Sequence, residues 1–406
     1  MNLTQCLSAL VLAASLVSTT VAGPPAYEKL VLSDKFYSEG AYYADFNRDE
    51  HIDIVAGPFW YAGPDFKRRY EYREPREFSP LDYSDNFLTY TGDFNGDEWP
   101  DVLCVPYPGT DAYWYENPGK SGDNRWTSHL ALKNVGNESP AWIDINGDGR
   151  RDLVFNIDGY LGYGTWNPHR PDQPWAFHKI SPQGDYQRFT HGVGAGDING
   201  DGRMDIVESK CWWEQSEDKD ADGPWKRHPY EFADAAAHMG VLDINGDGLL
   251  DVVNAWHCHL YGLVWHEQKR TADGKIHFVQ HEILPPEPDM ASPDLRISQL
   301  HALTIADIDC DGVQDIVTGK RYWSHGPTGD VEADAPPVLY WFRVEHQVES
   351  PPKITPFEID NNSGIGTQVT AVDLNKDKTP DVVVCNKKGT FVFLSKRENG
   401  SQTGSQ

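Results

Sequence analysis

This sequence predicts an all-β fold in which one short motif recurs around a common axis, and three observations carry that reading. The first is the stretch Asp197-Ile198-Asn199-Gly200-Asp201-Gly202-Arg203-Met204-Asp205, whose oxygen-bearing side chains stand at every second position and then at a closing Asp. The second is its recurrence: it is found seven times in 406 residues, with opening aspartates 46 to 66 residues apart. One unit repeated along a whole chain is the signature of a repeat architecture. The third is what surrounds each copy: an apolar run, then a Trp and Tyr cluster, separated by Gly, Pro, Asn and Asp, as short strands are. Four antiparallel strands per repeat make the blade of a β-propeller, so seven repeats predict seven blades.

Alternating oxygens are how a single short loop wraps a hard cation such as calcium. In the fourth repeat the donors are Asp197, Asn199, Asp201 and Asp205, with the carbonyl of Arg203. The equivalent sets are Asp45, Asn47, Asp49 and Asp53; Asp93, Asn95, Asp97 and Asp101; and Asp144, Asn146, Asp148 and Asp152 in the first three repeats. They are Asp243, Asn245, Asp247 and Asp251; Asp307, Asp309, Asp311 and Asp315; and Asp373, Asn375, Asp377 and Asp381 in the last three. Several structural calcium ions are therefore expected. Gly202 and its equivalents stand where the turn needs a positive φ. Glu50, Glu98 and Lys378 replace that glycine in the first, second and seventh loops. A side chain at positive φ costs energy, so weaker calcium binding or none is expected there.

Within a repeat, strand A precedes the loop and strand B follows it. Strand C carries the aromatic cluster, as in Tyr113-Trp114-Tyr115-Glu116 and Leu263-Val264-Trp265-His266. Strand D reads Trp-x-x-His or similar, from Trp126 to His129, Trp175 to His178, Trp225 to His228 and Phe278 to His281. These histidines keep step with the repeat and read as structural. The last repeat lacks a strand D, while a spare strand, Tyr27 to Ser33, precedes the first strand A. The spare part fits the vacancy and would close the ring without an open seam. The propeller then spans 24–397, followed by a disordered tail over 398–406.

The formal charge is −27, and the loop ligand positions hold 22 of the 62 acidic residues, three Asp in each loop and Asp309 besides in the sixth. Such a balance opposes nucleic-acid binding, which needs Lys and Arg to neutralise phosphates. Residues 1–22 read as a secretory signal peptide with a small-residue cleavage point near Ala22. Export to the medium, the periplasm or the cell surface suits calcium loops. No later segment is long and apolar enough to span a bilayer. Beyond Cys6, the cysteines at 104, 211, 258, 310 and 385 form no disulfide framework. Cys211 and Cys258 end equivalent strands, and either one bridge or two buried thiols fits that placement.

The pattern Asp-Ile-Asn-Gly-Asp-Gly-x-x-Asp, followed by an apolar strand and Trp-Tyr-Glu-like clusters, resembles the FG-GAP/VCBS repeat family. That resemblance implies a seven-bladed, calcium-stabilised propeller. It implies no particular function, because propellers host many activities.

Chain direction places a site. If strand A is innermost and the loops lie on one face, the D–A and B–C connections pool near the axis on the other. His191, His238 and His301 begin the inner strands of three consecutive repeats; two stand six residues before the opening Asp of their loops and His238 stands five before. They are expected to converge on one divalent metal, zinc or magnesium, with Glu138 or Glu39 nearby. The competing reading gives each His a local hydrogen bond at a strand start. Lys210 and Lys320 end strands B and are expected to face the pocket, with Tyr186 as an acid. Arg188, Trp256, His257, Arg296 and Arg321 are the candidate substrate-binding residues, and the Pro-rich connection from Leu284 to Gln299 is a candidate lid.

Ser298-Gln-Leu-His301, Ala306-Asp-Ile-Asp309 and Gly319-Lys-Arg321 are similar to the propeller part of fungal aldos-2-ulose dehydratases, which remove water from anhydro-keto-sugars. The resemblance implies a metal-assisted lyase or dehydratase acting on a keto-sugar, or on a uronate as in seven-bladed polysaccharide lyases. The other reading is a non-catalytic propeller that binds a glycan or a protein at the cell surface. The sequence contains no nucleophile elbow, phosphate loop or dinucleotide fingerprint. Oligomeric state is left open.

Overall fold

The computed structural model describes residues 23–121, 125–217, 223–292 and 295–396. The expected signal peptide and tail lie outside these residues. The chain is all-β, built mainly of four-stranded antiparallel sheets in which neighbouring strands follow one another in sequence. The first sheet joins Ala41–Ala44, Asp53–Ala56, Phe59–Ala62 and Arg68–Glu71. The fourth repeat joins Val193–Gly196, Asp205–Glu208, Cys211–Glu214 and Lys226–Pro229 in the same order. The second and third repeats form one seven-stranded sheet, because the 17-residue strand Thr127–Ile143 serves both. Its first half pairs with Thr110–Glu116 and its second half with Asp152–Ile157.

The spare N-terminal strand goes where the sequence puts it. Ala26–Ser33 pairs antiparallel with Gly389–Lys396, with Tyr27 opposite Ser395 and Leu30 opposite Val392. It completes the sheet that also holds Val369–Val372 and Asp381–Asn386. Hydrophobic side chains are shared between consecutive sheets: Val207 and Trp212 pack with Val252 and Phe278, and Val317 and Trp341 pack with Val382 and Phe393. Ile54 and Tyr61 of the first sheet pack with Leu374, Val383 and Val392 of the last. The strand after each loop is covered on both faces, so it reads as a Val/Ile run rather than an alternation. Ile206, Val207, Val252, Val253, Ile316 and Val317 are all fully buried.

The strand D histidines are structural, as their periodicity implies. His129, His228 and His281 stack on Trp114, Trp212 and Trp265 at 3.9–4.4 Å between ring centres. Their Nε2 atoms lie 2.7–3.0 Å from Glu116, Glu214 and Glu267. Beside them, Asn117, Gln215 and Gln268 reach the carbonyls of Phe46, Ile145 and Ile198, each next to the opening Asp of the preceding repeat's loop. The first, third and fourth loops are thereby tied to the repeat that follows.

Candidate functional site

The loops form oxygen-lined cups. Asp197 Oδ1 accepts from the backbone N–H of Gly200 and Asp201, at 2.8 and 2.9 Å, and Oδ2 from that of Gly202. Asn199 and Asp201 accept from backbone N–H groups two residues on. The closing Asp205 is fully buried, accepting from Ile198 N at 3.0 Å and Gln215 N at 2.9 Å. Burial pushes its pKa from 3.8 up to about 7. A buried carboxylate facing further acids is the donor set a hard cation fits. Glu50, Glu98 and Lys378 adopt the φ of 71–72° that the sequence requires at the turn. In the sixth loop the extra charge of Asp309 is met by Arg343 Nε at 2.7 Å.

On the side of the B–C and D–A connections, four donors gather. His191 and His301 each stand two residues before an inner strand and bring their Nε2 atoms within 3.3 Å of each other. His259 arrives from the turn after Asp251–Ala255, with its ring 5.2 and 5.1 Å from theirs. Cys258 completes the group, in which one donor atom from each residue lies within 4.8 Å of the others. Cys258 N is fixed on Ala235 O at 2.8 Å. Cys258 and Cys211 are both free, buried thiols.

Burial and the Arg321 guanidinium push His301 down to about 3, and burial with the neighbouring His301 and His191 pushes His259 down to about 2. Burial also lowers His191, against the pull of Glu138. The three rings are therefore neutral, the state in which imidazole ligates a metal. His301 Nδ1 and His259 Nδ1 are buried without a hydrogen-bond partner among the described residues. Glu138 Oε2 lies 3.4 Å from His301 Nε2 and 3.7 Å from His191 Nε2. Burial alone would raise the Glu138 carboxyl; the hydrogen bond from His301 and the Arg321 guanidinium outweigh it and hold the group well below the usual carboxylate range. Nitrogen and sulfur donors suit zinc and not magnesium, which demands oxygen.

Not every expected residue joins this group. His238 does not: it stands one residue before its strand, pairs with Val193 and hydrogen-bonds the backbone of Pro140. It lines a different cavity of about 430 Å³, formed by inner-strand residues including Tyr90 and Trp142. Arg321 is in the group but 2 % exposed, donating to His301 Nε2 at 3.0 Å and paired with Glu39 and Glu138, so it is not free to grip a substrate. Lys320 is also buried, with Nζ on Ser298 Oγ at 2.8 Å, and burial lowers it to about 8. Arg296 is held by Glu332, Arg188 lies exposed against Phe189, and Trp256 and His257 shape the turn that carries His259. The Leu284–Gln299 connection reaches beyond the described residues.

Tyr186, His191 and Lys210 do come together, along a cavity of about 620 Å³. Glu208, which no sequence motif singles out, lines it with them. Tyr186 donates its hydroxyl proton to Glu208 Oε1 at 2.8 Å, and Cys211 and Trp213 bond to the same oxygen. Burial and Glu208 raise the Tyr186 phenol far above its ordinary pKa, so it orients Glu208 instead of acting as an acid. His325 and Asp330, 2.7 Å apart beside His259, were also missed; they lie in an insertion after strand B of the sixth repeat.

One stretch of the chain matches a known repeat. Residues 93–155 match the FG-GAP-like repeat model, which bears out the repeat resemblance over that stretch. No curated protein matches the chain. Among solved structures, an Agrocybe aegerita lectin, described as recognising non-reducing terminal N-acetylglucosamine, aligns at 13% identity over 94% of this chain and 92% of its own, with a TM-score of 0.43. Rhamnogalacturonan lyase YesW aligns at 13% identity over 93% and 75%, with a TM-score of 0.44. A Photorhabdus luminescens Tc holotoxin pore structure aligns at 17% identity over 76% of this chain and 14% of its own, with a TM-score of 0.35. Among the described residues no helix is long and apolar enough to cross a membrane.

Proposed function

We propose that this chain is a secreted, calcium-stabilised, seven-bladed propeller, closed by Ala26–Ser33, that works as a metal-assisted carbohydrate lyase or dehydratase. The observation that carries the catalytic part is the gathering of His191, Cys258, His259 and His301 at the edge of the cavity that His191 lines. A ring of repeats built for binding alone does not need three neutral imidazoles and a thiol within 4.8 Å of one another. These four residues would hold a zinc ion, which supplies Lewis-acid polarisation of a substrate carbonyl and so acidifies the neighbouring C–H bond.

The protein's own groups then divide the proton work. Three hydrogen bonds saturate Glu208 Oε1, which leaves Oε2 to accept the acidified proton. Lys210, half-exposed and paired with Glu231, is an ammonium that can protonate the departing hydroxyl. A C–H and a C–O bond break, a C=C bond forms, and water leaves. Metal analysis of the mature protein, with a screen of keto-sugars and uronate polymers for new ultraviolet absorbance, tests this. The expected result is bound zinc, of which His191→Ala with His301→Ala removes the ion held by these four residues, and an unsaturated product lost with Glu208→Gln. Zinc-free protein that still binds a glycan would replace the reading with the non-catalytic one.

A further inference from the structure

We propose that His259, His325 and Asp330 form a second divalent-metal site, sharing His259 with the first. The inference rests on the proposed zinc site only through that shared ring. One donor atom from each of the three residues lies within 4.8 Å of the others. The His259 and His325 rings are 4.6 Å apart, and His259 Nδ1 is 3.7 Å from Asp330 Oδ1. An imidazole offers one nitrogen on each edge, so a single ring can serve two ions once its own N–H proton is lost.

Two features distinguish this cluster from an accidental one. His259 Nδ1 is buried with no hydrogen-bond partner among the described residues, next to a carboxylate whose side chain is only 3 % exposed. Leaving such a nitrogen unsatisfied costs the desolvation of a buried polar group, which a cation would recover. The carboxylate is also held in place: Asp330 Oδ2 accepts from His325 N at 2.8 Å, while Oδ1 meets His325 Nδ1 at 2.7 Å. Binding both ions would displace the proton now shared between His325 Nδ1 and Asp330 Oδ1 and the ring proton of His259, and both protons leave to solvent.

The two sites differ in kind. The first has four nitrogen and sulfur donors, with Cys258 and His301 fully buried. The second has two imidazoles and one carboxylate, and the His325 side chain is 47 % exposed. Three protein donors with solvent at hand is the open set that keeps a position for an exogenous ligand. A carboxylate or hydroxyl of a sugar acid is the chemistry that would take it.

Zinc counting tests this on the full chain, saturated with calcium so that the acidic loops are filled, then equilibrated with zinc and freed of excess. Two zinc ions per chain are expected for the unchanged protein. His325→Ala and His301→Ala should each leave one, and His259→Ala none. One zinc that persists in His325→Ala and vanishes in His301→Ala overturns the second site and spares the first. No zinc at all overturns both. A cobalt titration of the unchanged protein reads the same question without a variant. Two saturation steps are expected, of which one carries thiolate absorption; a single step overturns the proposal.

Discussion

The closing aspartates give the sharpest test of the calcium reading, because replacing one should change sign with the cation. Consider Asp205→Asn. The side chain keeps its shape but presents an amide where a carboxylate now accepts from Ile198 N and Gln215 N. One backbone donor then faces another donor, which costs about 1–3 kcal/mol. Against that stands the charge. Without a cation, burial raises Asp205 from 3.8 to about 7. A raised folded-state pKa contributes stability that is fully present below pH 3.8 and lost as pH rises through about 7. At 1.36 kcal/mol per pH unit, the ionised loop above that pH is disfavoured by about 4 kcal/mol. Asn removes that penalty. In chelator at pH about 8 the variant should therefore be more stable than the parent, by about 1–3 kcal/mol. With calcium the carboxylate is a ligand, the penalty is already cancelled, and the same substitution should destabilise by at least the lost hydrogen bond. For 406 residues, 1 kcal/mol moves the melting temperature by roughly 1 °C, so scanning calorimetry under both conditions resolves the pair. An equal shift with and without calcium would refute the reasoning.

Three further outcomes follow from the same geometry. Gly202 has a φ of 87° and open space where a Cβ would stand, so Gly202→Ala should cost only the left-handed strain, about 1 kcal/mol; Glu50→Gly should recover a similar amount, both read from denaturant midpoints. Arg321→Met should cost about 3–5 kcal/mol, because it leaves Glu39 and Glu138 buried without their cation; a melting curve like the parent's would show that the pair is already compensated. Burial lowers His238 from 6.5 to about 4, so its contribution is present above pH 6.5 and lost as pH falls towards 4; His238→Gln should flatten the acid side of the stability profile by about 3 kcal/mol.

What the sequence shows and what it hides divide along the range of the interactions. The loops are legible because their donors lie within nine residues, and the turn φ at Glu50, Glu98 and Lys378 follows from position alone. The strand that completes the last sheet is legible because one repeat lacks a strand and the N-terminus supplies one. The donor cluster is half legible. His191 and His301 share a register, and the structure joins them. His238 is offset by one residue, and in a strand that turns a side chain to the opposite face. Cys258 and His259 depend on a turn pinned to Ala235, a contact between separate connections that no local pattern announces. Asp330 and His325 sit in an insertion without repeat periodicity.

Arg321 shows why the histidine face needs a charged network to exist. Its guanidinium reaches Glu39 of the first repeat, Glu138 of the third and His301 of the sixth. Glu138 in turn faces His191 of the fourth. Apolar contacts between consecutive sheets cannot set that arrangement, because each ties a sheet only to its neighbours. Directional bonds across the face can, and they hold His191 and His301 against each other although 110 residues separate them. A buried ion set is weak support for stability and can serve geometry instead. It follows that Arg321→Lys, which keeps the charge but not the planar fork, should disturb zinc stoichiometry more than it disturbs melting. A variant that melts early yet binds zinc as the parent does would reverse that assignment, making Arg321 a structural cation with no part in placing the imidazoles.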